Sequence, residues 1–444
     1  MRYWVFLFVS SICLGQDYSL NGFLDHVKQH HPFVKQAVLV QEQSEAKLQK
    51  MRGALDPRLE GGSREKSLDG SNYYTAESYS LKVPTPFGVT MKAEVDNAAG
   101  AYLNPESNTG NDRLYAVGGE LDLGKGLVFN DRGVALQQAK DFVKQTRAEN
   151  QLQINAILLS ATTAFTAWYQ AYEINQIYTE YLANAAFRFR GVQQRYQTGD
   201  LAAIDTVEAK IALNNRKLLV ESARLQLAKK QLELANFLWS EDDSSPFLQQ
   251  WRPTLQGARF ISAIVDVDQH PKIRSIQYKA AQLRAQKRLA INNMLPEMVL
   301  DYAVISPNTS SLDPVNSTAK MKFNVPLFLR KERGDLKLSK LKLEEITLEL
   351  NYQKTALQNK IQALETETDQ AEKLLTIAQG NVLNLKAMYE GEDAKFNAGE
   401  SSLFLVNTRE SKWIEGRVKA LVLAVKLFNA QAALYYTTTF PTLN

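Results

Sequence analysis

The sequence predicts a mainly α-helical chain with a small β part, built as a duplicated unit of helix, β-hairpin and long helical hairpin. Three observations carry this. The thirteen prolines leave two long free runs, 106–245 and 327–440, and helix interiors exclude proline because it lacks an N–H and clashes with the preceding turn. Apolar residues in both runs recur mostly at steps of three, four or seven, the period of helices that pack along their length. The two halves also repeat the same landmarks in the same order, and an internal repeat of this size outweighs any short motif.

Near the start, Arg2 is followed by "YWVFLFVSSICLG". A short apolar run ending in small residues predicts a signal peptide over 1–15, cleaved after Gly15. The run is too short to span a bilayer. Cys13 is the only cysteine, and Ile12 stands where a lipoprotein signal carries a small residue. The mature chain is therefore expected to have neither a disulfide nor thiolate chemistry. No later stretch approaches eighteen consecutive apolar residues, so no transmembrane helix is expected. With 52 basic and 48 acidic residues the net charge is +4, a balance that speaks against nucleic acid.

The first repeat covers 16–240, with a β region at 57–129 and a helical hairpin at 132–239 whose turn lies near 199–203. Leu152, Ile154, Ile157, Leu158, Phe165, Trp168, Tyr172 and Ile177 form its apolar stripe. A linker, 241–269, leads to the second repeat, 270–440, with a β-hairpin at 296–328, a helical hairpin at 333–437 and a turn near 399–403. Its stripe runs from Leu350 through Leu357, Leu364, Ala371, Ala378 and Leu385 to Tyr389. Helices of about 64 residues are roughly 96 Å long, more than a globular domain needs.

The halves match in detail. "HPFVKQAVLVQEQSEAKLQK" (31–50) answers "HPKIRSIQYKAAQLRAQKRL" (270–289), and Pro57 answers Pro296, both at an offset of 239. Arg132-Gly133 answers Arg333-Gly334 at an offset of 201, and "GVQQRYQTGD" (191–200) answers "GEDAKFNAGE" (391–400) at 200. The first half therefore carries about 38 extra residues in its β region, the size of one hairpin. Whether that hairpin joins the same sheet is left open by the sequence. Alternation in "SYSLKV", "GVTMKAEV", "LYAVGGELDL", "EMVLDYAVIS" and "STAKMKFNVPLF" marks the strands.

These strands are few and rich in flanking tyrosines, and the chain is expected to be exported. A bilayer admits only helices and closed barrels, because every backbone polar group must be paired. Two hairpins cannot close a barrel, but several chains each donating a few strands can.

Other chemistry is thin. His26 and His30 lie one helical turn apart beside His31, yet His270 is the only further histidine, which supports exposed histidines rather than a zinc site. "GKG" (124–126) lacks the Walker spacing. No nucleophile–base arrangement is recognisable. No enzyme activity, cofactor or metal is expected.

The signal peptide, the two repeats, "HP" opening each of them and the aromatic-x-x-Gly at each turn make the chain resemble the TolC family of outer-membrane efflux proteins, over essentially the whole mature length. The resemblance implies a homotrimer in the outer membrane of a Gram-negative bacterium, with a trimeric α-helical tunnel in the periplasm capped by a shared 12-stranded transmembrane β-barrel. It implies outer-membrane lipid around the barrel, a periplasmic adaptor (membrane fusion protein) at the tip, and an RND-type or ABC-type inner-membrane pump. The function it implies is a passive exit duct for tripartite efflux or type I secretion.

Carried over by position, the adaptor-docking tip is Gly199, Asp200, Leu201, Ala202 and Ala203 with Gly399, Glu400, Ser401, Ser402 and Leu403. The tunnel constriction falls among Asp205, Phe396, Leu405, Asn407, Arg409 and Glu410. Here the chain departs from the family. Aspartates six and nine residues after the second tip glycine are replaced by Leu405 and Thr408, an arginine by Ser401, and a tyrosine by Phe396. Closure is thus expected to rest on apolar and hydrogen-bonded contacts around Phe396, Leu405 and Asn407. The rival readings are a periplasmic adaptor, which carries one helical hairpin rather than two, and a structural coiled-coil protein without a pore.

Overall fold

The structure is a computed structural model that describes residues 16–110, 113–126, 129–239, 251–262, 266–309 and 315–440. The signal peptide expected at 1–15 and the linker's first part, 241–250, lie outside them. The chain divides into two compact units, one of 1–38, 151–267 and 356–444, the other of 39–150 and 268–355. Helices α2 (Pro32–Arg52), α3 (Asp131–Gln197) and α6 (Arg330–Asn397) contribute residues to both.

The first unit is helical. Its other elements are β1 (Gln16–Ser19), α1 (Leu20–His30), α4 (Ala203–Ala235), β6 (Trp251–Thr254) and α7 (Leu403–Thr438). β1 and β6 pair in parallel, Gln16 opposite Trp251. Leu20, Phe23, Leu24 and Val27 fall on one face of α1 and meet Ile154, Leu158, Phe165 and Trp168 of α3, Leu234 of α4, and Ala432 and Tyr436 of α7. The predicted stripe of the first long helix therefore supplies the main core. Burial pushes the Tyr436 hydroxyl up to about 12. Asn155 donates to the carbonyls of Tyr436 and Thr439 at 2.9 and 2.8 Å, satisfying carbonyls at the end of α7.

Among the described helices α7 is the one long and apolar enough to cross a membrane by length and composition, which a search for unbroken apolar runs did not anticipate. Some of its apolar residues pack against other helices. Leu403 meets Val192 and Ala209, and Ile414 meets Tyr181.

The "HP" pairs have a local cause. Proline is tolerated at the first helical position, where its missing N–H would be unpaired anyway. The preceding histidine closes the end: His31 Nδ1 accepts from Phe33 N at 3.3 Å, and His270 Nδ1 accepts from Lys272 N at 3.1 Å. His31 is 6% exposed and stacks on Phe237 at 5.7 Å. Burial lowers its pKa below the ordinary histidine value. The unfolded chain then takes up this proton first, so stability present above about pH 6.5 is lost as pH falls, by at most about 1.4 kcal/mol per pH unit. Thermal melts should show this acid slope in the wild type and a flatter one in His31→Asn.

The second unit carries the sheet. β2 (Arg58–Leu68), β3 (Ser71–Pro84), β4 (Val89–Ala99), β5 (Leu114–Asp122), β7 (Glu297–Ser306) and β8 (Ser317–Asn324) form one six-stranded sheet in the order β2-β3-β4-β5-β7-β8. Every neighbouring pair is antiparallel. The strand count departs from the expectation, since a twelve-stranded barrel shared by three chains takes four strands from each. The reason is the excess of the first half: its extra hairpin pairs into the same sheet. Asp69 and Gly70 both have positive φ, 51° and 76°, as the tight type I′ turn between β2 and β3 requires.

Helix α5 (Pro271–Asn292) packs Ile276 and Ala280 on Ile346 of α6. At the helix end of the strands, Asn292 of α5 donates to the carbonyls of Lys125 and Phe129. Asn130 accepts from Gly133 N at 2.8 Å, at the start of α3, and donates to Pro86 O at 2.8 Å in the β3–β4 turn. The short turn 85–88 therefore lies beside the helix starts, while the longer connection 100–113 leaves from the other end of the strands.

Candidate functional site

The helix-to-helix turns are built alike. Gly199 (φ 86°) and Gly399 (φ 82°) take the left-handed conformation at a helix end. Asp200 N donates to Arg195 O at 2.9 Å and Gly199 N to Tyr196 O at 3.1 Å; Glu400 N and Gly399 N repeat this onto Lys395 O and Phe396 O. This is the Schellman pattern, which satisfies carbonyls that the helix leaves open. The next helices start two ways. The Asp205 carboxylate accepts from Ala202 N at 3.2 Å, and Ser402 Oγ accepts from Leu405 N at 3.4 Å. Both are N-terminal caps.

An added Cβ at either glycine meets nothing within 4 Å, so alanine there costs only the backbone strain, about 1–2 kcal/mol. Gly199→Ala and Gly399→Ala should speed amide hydrogen exchange in the last turns of α3 and α6. Asparagine, which tolerates this conformation better, should do so less.

Of the predicted tip residues, Gly199, Asp200, Ala202, Ala203, Gly399, Glu400 and Ser402 are exposed, and Leu201 and Ser401 half-buried. Leu403 is buried with Val192 and Ala209 in a small cluster joined by Phe189, Leu201 and Phe396. The two turns thus share one apolar plug, and Leu403 serves it rather than the outer surface. Arg195 sits 5.5 Å over the Phe396 ring.

Three or four helical turns further along lies a buried polar cluster. Glu410 of α7 is 1% exposed. Both its oxygens accept from Arg188 of α3 at 3.1 Å, and Arg216 of α4 approaches it at 3.5 Å. Arg188 also donates to Tyr389 OH of α6 at 3.0 Å and to Asn407 Oδ1 at 3.2 Å. Arg216 donates to Ser411 Oγ at 2.8 Å, and Asn407 donates to Glu208 at 3.3 Å. Burial pulls the Arg188 pKa down, but the hydrogen bond and charge of Glu410 outweigh it and hold it above the ordinary arginine value. Trp413 stacks on Tyr389 at 5.3 Å and lies edge-on to Tyr181, and Arg417 bonds Tyr181 OH and Glu180. One carboxylate therefore ties all four helices together.

The predicted constriction residues separate on inspection. Asn407 and Glu410 belong to this cluster, Phe396 to the plug and Asp205 to a cap. Arg409 lies 3.9 Å from Glu392, which also accepts from Ser401 Oγ, and Leu405 is exposed. The expected apolar and hydrogen-bonded contacts omit the charged centre. Its arginines were missed, although each interrupts an otherwise apolar helical period: Tyr181, Ala185, Arg188, Val192 on α3 and Ala209, Arg216, Val220, Ala223 on α4. A charge at a core step is the signal that could have found them.

Helix α4 has a second apolar face. Ile204, Ile211, Leu218, Leu225 and Leu232 are all exposed, at steps of seven. That is a coiled-coil seam which no helix covers among the described residues.

The sheet has two unlike faces. Its register places Leu59, Tyr79, Leu81, Val83, Met91, Ala93, Val95, Tyr115, Val117, Leu121, Leu300, Tyr302, Val304, Ala319, Met321 and Phe323 on one of them. Tyr79, Leu81, Met91, Val117, Tyr302, Met321 and Phe323 are exposed. The other face carries cross-strand ion pairs: Lys82–Glu60 at 2.6 Å, Lys92–Glu120 at 2.9 Å and Lys92–Asp301 at 2.6 Å. One face is apolar, with Glu65 and Glu77 only towards its end away from the helices, and the other is charged; such alternation is the pattern of a strand between lipid and an aqueous lumen. His26 and His30, the metal candidates, lie with their rings 4.7 Å apart, and His26 Nε2 bonds the Trp239 carbonyl. Among the described residues no group of three or more His, Cys, Asp or Glu is placed to hold a metal.

No protein-family model and no curated protein matches the sequence. Solved structures do. The Campylobacter jejuni CmeC outer membrane channel superposes with a TM-score of 0.67 at 16% identity, over 94% of this chain and 85% of that one. The Vibrio cholerae outer membrane protein VceC gives 0.68 at 14%, over 94% and 95%. The open state of the Neisseria gonorrhoeae MtrE outer membrane channel gives 0.66 at 13%, over 94% and 88%. The likeness is one of fold, and it extends along nearly the whole chain.

Proposed function

We propose that the chain is a channel of the outer membrane, three copies of which form a passive exit duct across that membrane and the periplasm. The observation that carries this reading is the two-faced sheet. A broad exposed apolar face is costly in water, and its outer strands, β2 and β8, each leave one backbone edge unpaired in a single chain. A bilayer suits the face, and pairing between copies closes the edges. The heptad face of α4 supports a second copy at the helices as well. The outer-membrane channels of the same fold point the same way.

In this reading the helices stand in the periplasm and the turns at Gly199 and Gly399 meet a periplasmic adaptor that recruits an RND-type or ABC-type pump, for efflux or type I secretion. The Arg188–Glu410–Arg216 cluster holds the first helical hairpin to the second and keeps the tip closed. Transport energy comes from the pump. Membrane fractionation of the expressed chain followed by planar-bilayer recording tests the reading: a heat-resistant trimer in the outer-membrane fraction that conducts ions is expected. A protein found only in the soluble periplasm, as an adaptor without an anchor or a poreless coiled coil would be, overturns it.

A further inference from the structure

We propose that the barrel wall holds six strands from each copy, with β2 of one copy paired to β8 of the next, so that a trimer closes eighteen strands rather than twelve. This rests on the trimeric-channel reading and adds to it the identity of the intersubunit seam.

Three observations support the seam. The β2–β3 hairpin is continuous with the rest of the sheet: β3 and β4 pair without a break from Thr75↔Ala99 to Pro84↔Thr90. Its faces are also in phase with the others. Tyr79 and Leu81 lie beside Val95 and Ala93 on the apolar face, and Leu59 lies opposite Leu81. The Lys82–Glu60 pair continues the charged face. In β3 this alternation runs from Tyr79 to Val83, and β2 shares it at Leu59 and Glu60, the end next to the helices.

The internal repeat supplies the third. β2 directly follows Pro57 as β7 follows Pro296, and β5 and β8 are the last strands before α3 and α6. Within the chain, β5 of the first half pairs antiparallel with β7 of the second. Repeating that junction between copies sets β8 against the next copy's β2. The strands alternate in direction across the sheet, so its two edges run oppositely and the new pair is antiparallel too. Aligning the helix ends of both strands brings Leu59 beside Phe323 and Glu60 beside Lys322, apolar with apolar and acid with base. If the hairpin lay outside the wall, β4 would be the edge and the equivalence would be lost. Because barrel diameter grows with strand number, the eighteen-stranded wall is about half again as wide as one of twelve.

Paired cysteines in full-length protein carrying Cys13→Ser test the seam. Oxidation of trimers in native membranes should link copies in Glu60→Cys/Lys322→Cys or Gly62→Cys/Lys320→Cys, giving a ladder on denaturing gels. Glu94→Cys/Lys322→Cys, which joins β4 to β8, should give none. Tyr79→Cys should resist aqueous maleimide in sealed vesicles while Ser80→Cys reacts. Cross-linking through Glu94, or equal labelling at 79 and 80, overturns the seam while leaving the trimeric channel standing. Absence of any membrane trimer overturns both.

Discussion

Glu410→Ala is expected to cost about 3–5 kcal/mol, because it strands the buried Arg216 and the largely covered Arg188 without their shared counter-charge. Arg188 and Arg216 reach Glu410 from α3 and α4, and Tyr389 on α6 is bound through Arg188, so the loss is felt where the two helical hairpins meet. In the proposed function this unlatches the tip. Single-channel conductance should rise and thermal stability fall together. Glu410→Gln keeps the shape and the acceptor oxygen but loses the charge and should fall between. Replacing all three charges together, Arg188→Met, Arg216→Leu and Glu410→Met, should recover much of the stability, since a well-packed apolar triad can match a buried ionic one. Recovery of stability without recovery of low conductance would show that the charges hold the closed state specifically. An unchanged melt in Glu410→Ala would refute the cluster's structural role.

Leu218→Glu combined with Leu225→Glu is expected to abolish the proposed trimer. These residues are 69% and 55% exposed in the single chain, so the change disturbs little within it. Burying each leucine against another helix is worth about 1.5–3 kcal/mol per side chain, and three copies repeat the loss. Size-exclusion chromatography with light scattering should show monomer where the wild type, in the proposed function, is a trimer, with helical content by circular dichroism unchanged. A trimer that survives both substitutions would be held by its strand seam and not by this face of α4.

The long helical hairpins could be read from the sequence because helix formation is local. Missing prolines, a 3.6-residue apolar period and a terminal glycine bear on neighbouring residues, and α3 and α6 end at Gln197 and Asn397, within "YQTGD" and its copy "FNAGE". Most strands were readable from alternation. β2 was not: Arg58–Leu68 is polar and glycine-rich, with almost no period of two. Its strand form comes from backbone pairing with β3, which composition does not encode. The candidate site was half readable. Glu410 and Asn407 stood out beside the second turn, but Arg188 and Arg216 lie 222 and 194 residues from Glu410 in the chain. Nothing local joins them.

By itself, then, the sequence determined the duplicated helical grammar, the places where the helices turn, and an alternation suited to a membrane wall. These follow from propensity and period, which act over one or two turns or strands. Only the tertiary structure decided that the extra hairpin joins the sheet, that Leu403 plugs the turns, and that one buried carboxylate binds four helices. Each of those depends on which distant segments share a low-dielectric interior, where an unpaired backbone edge or charge is too costly to leave alone.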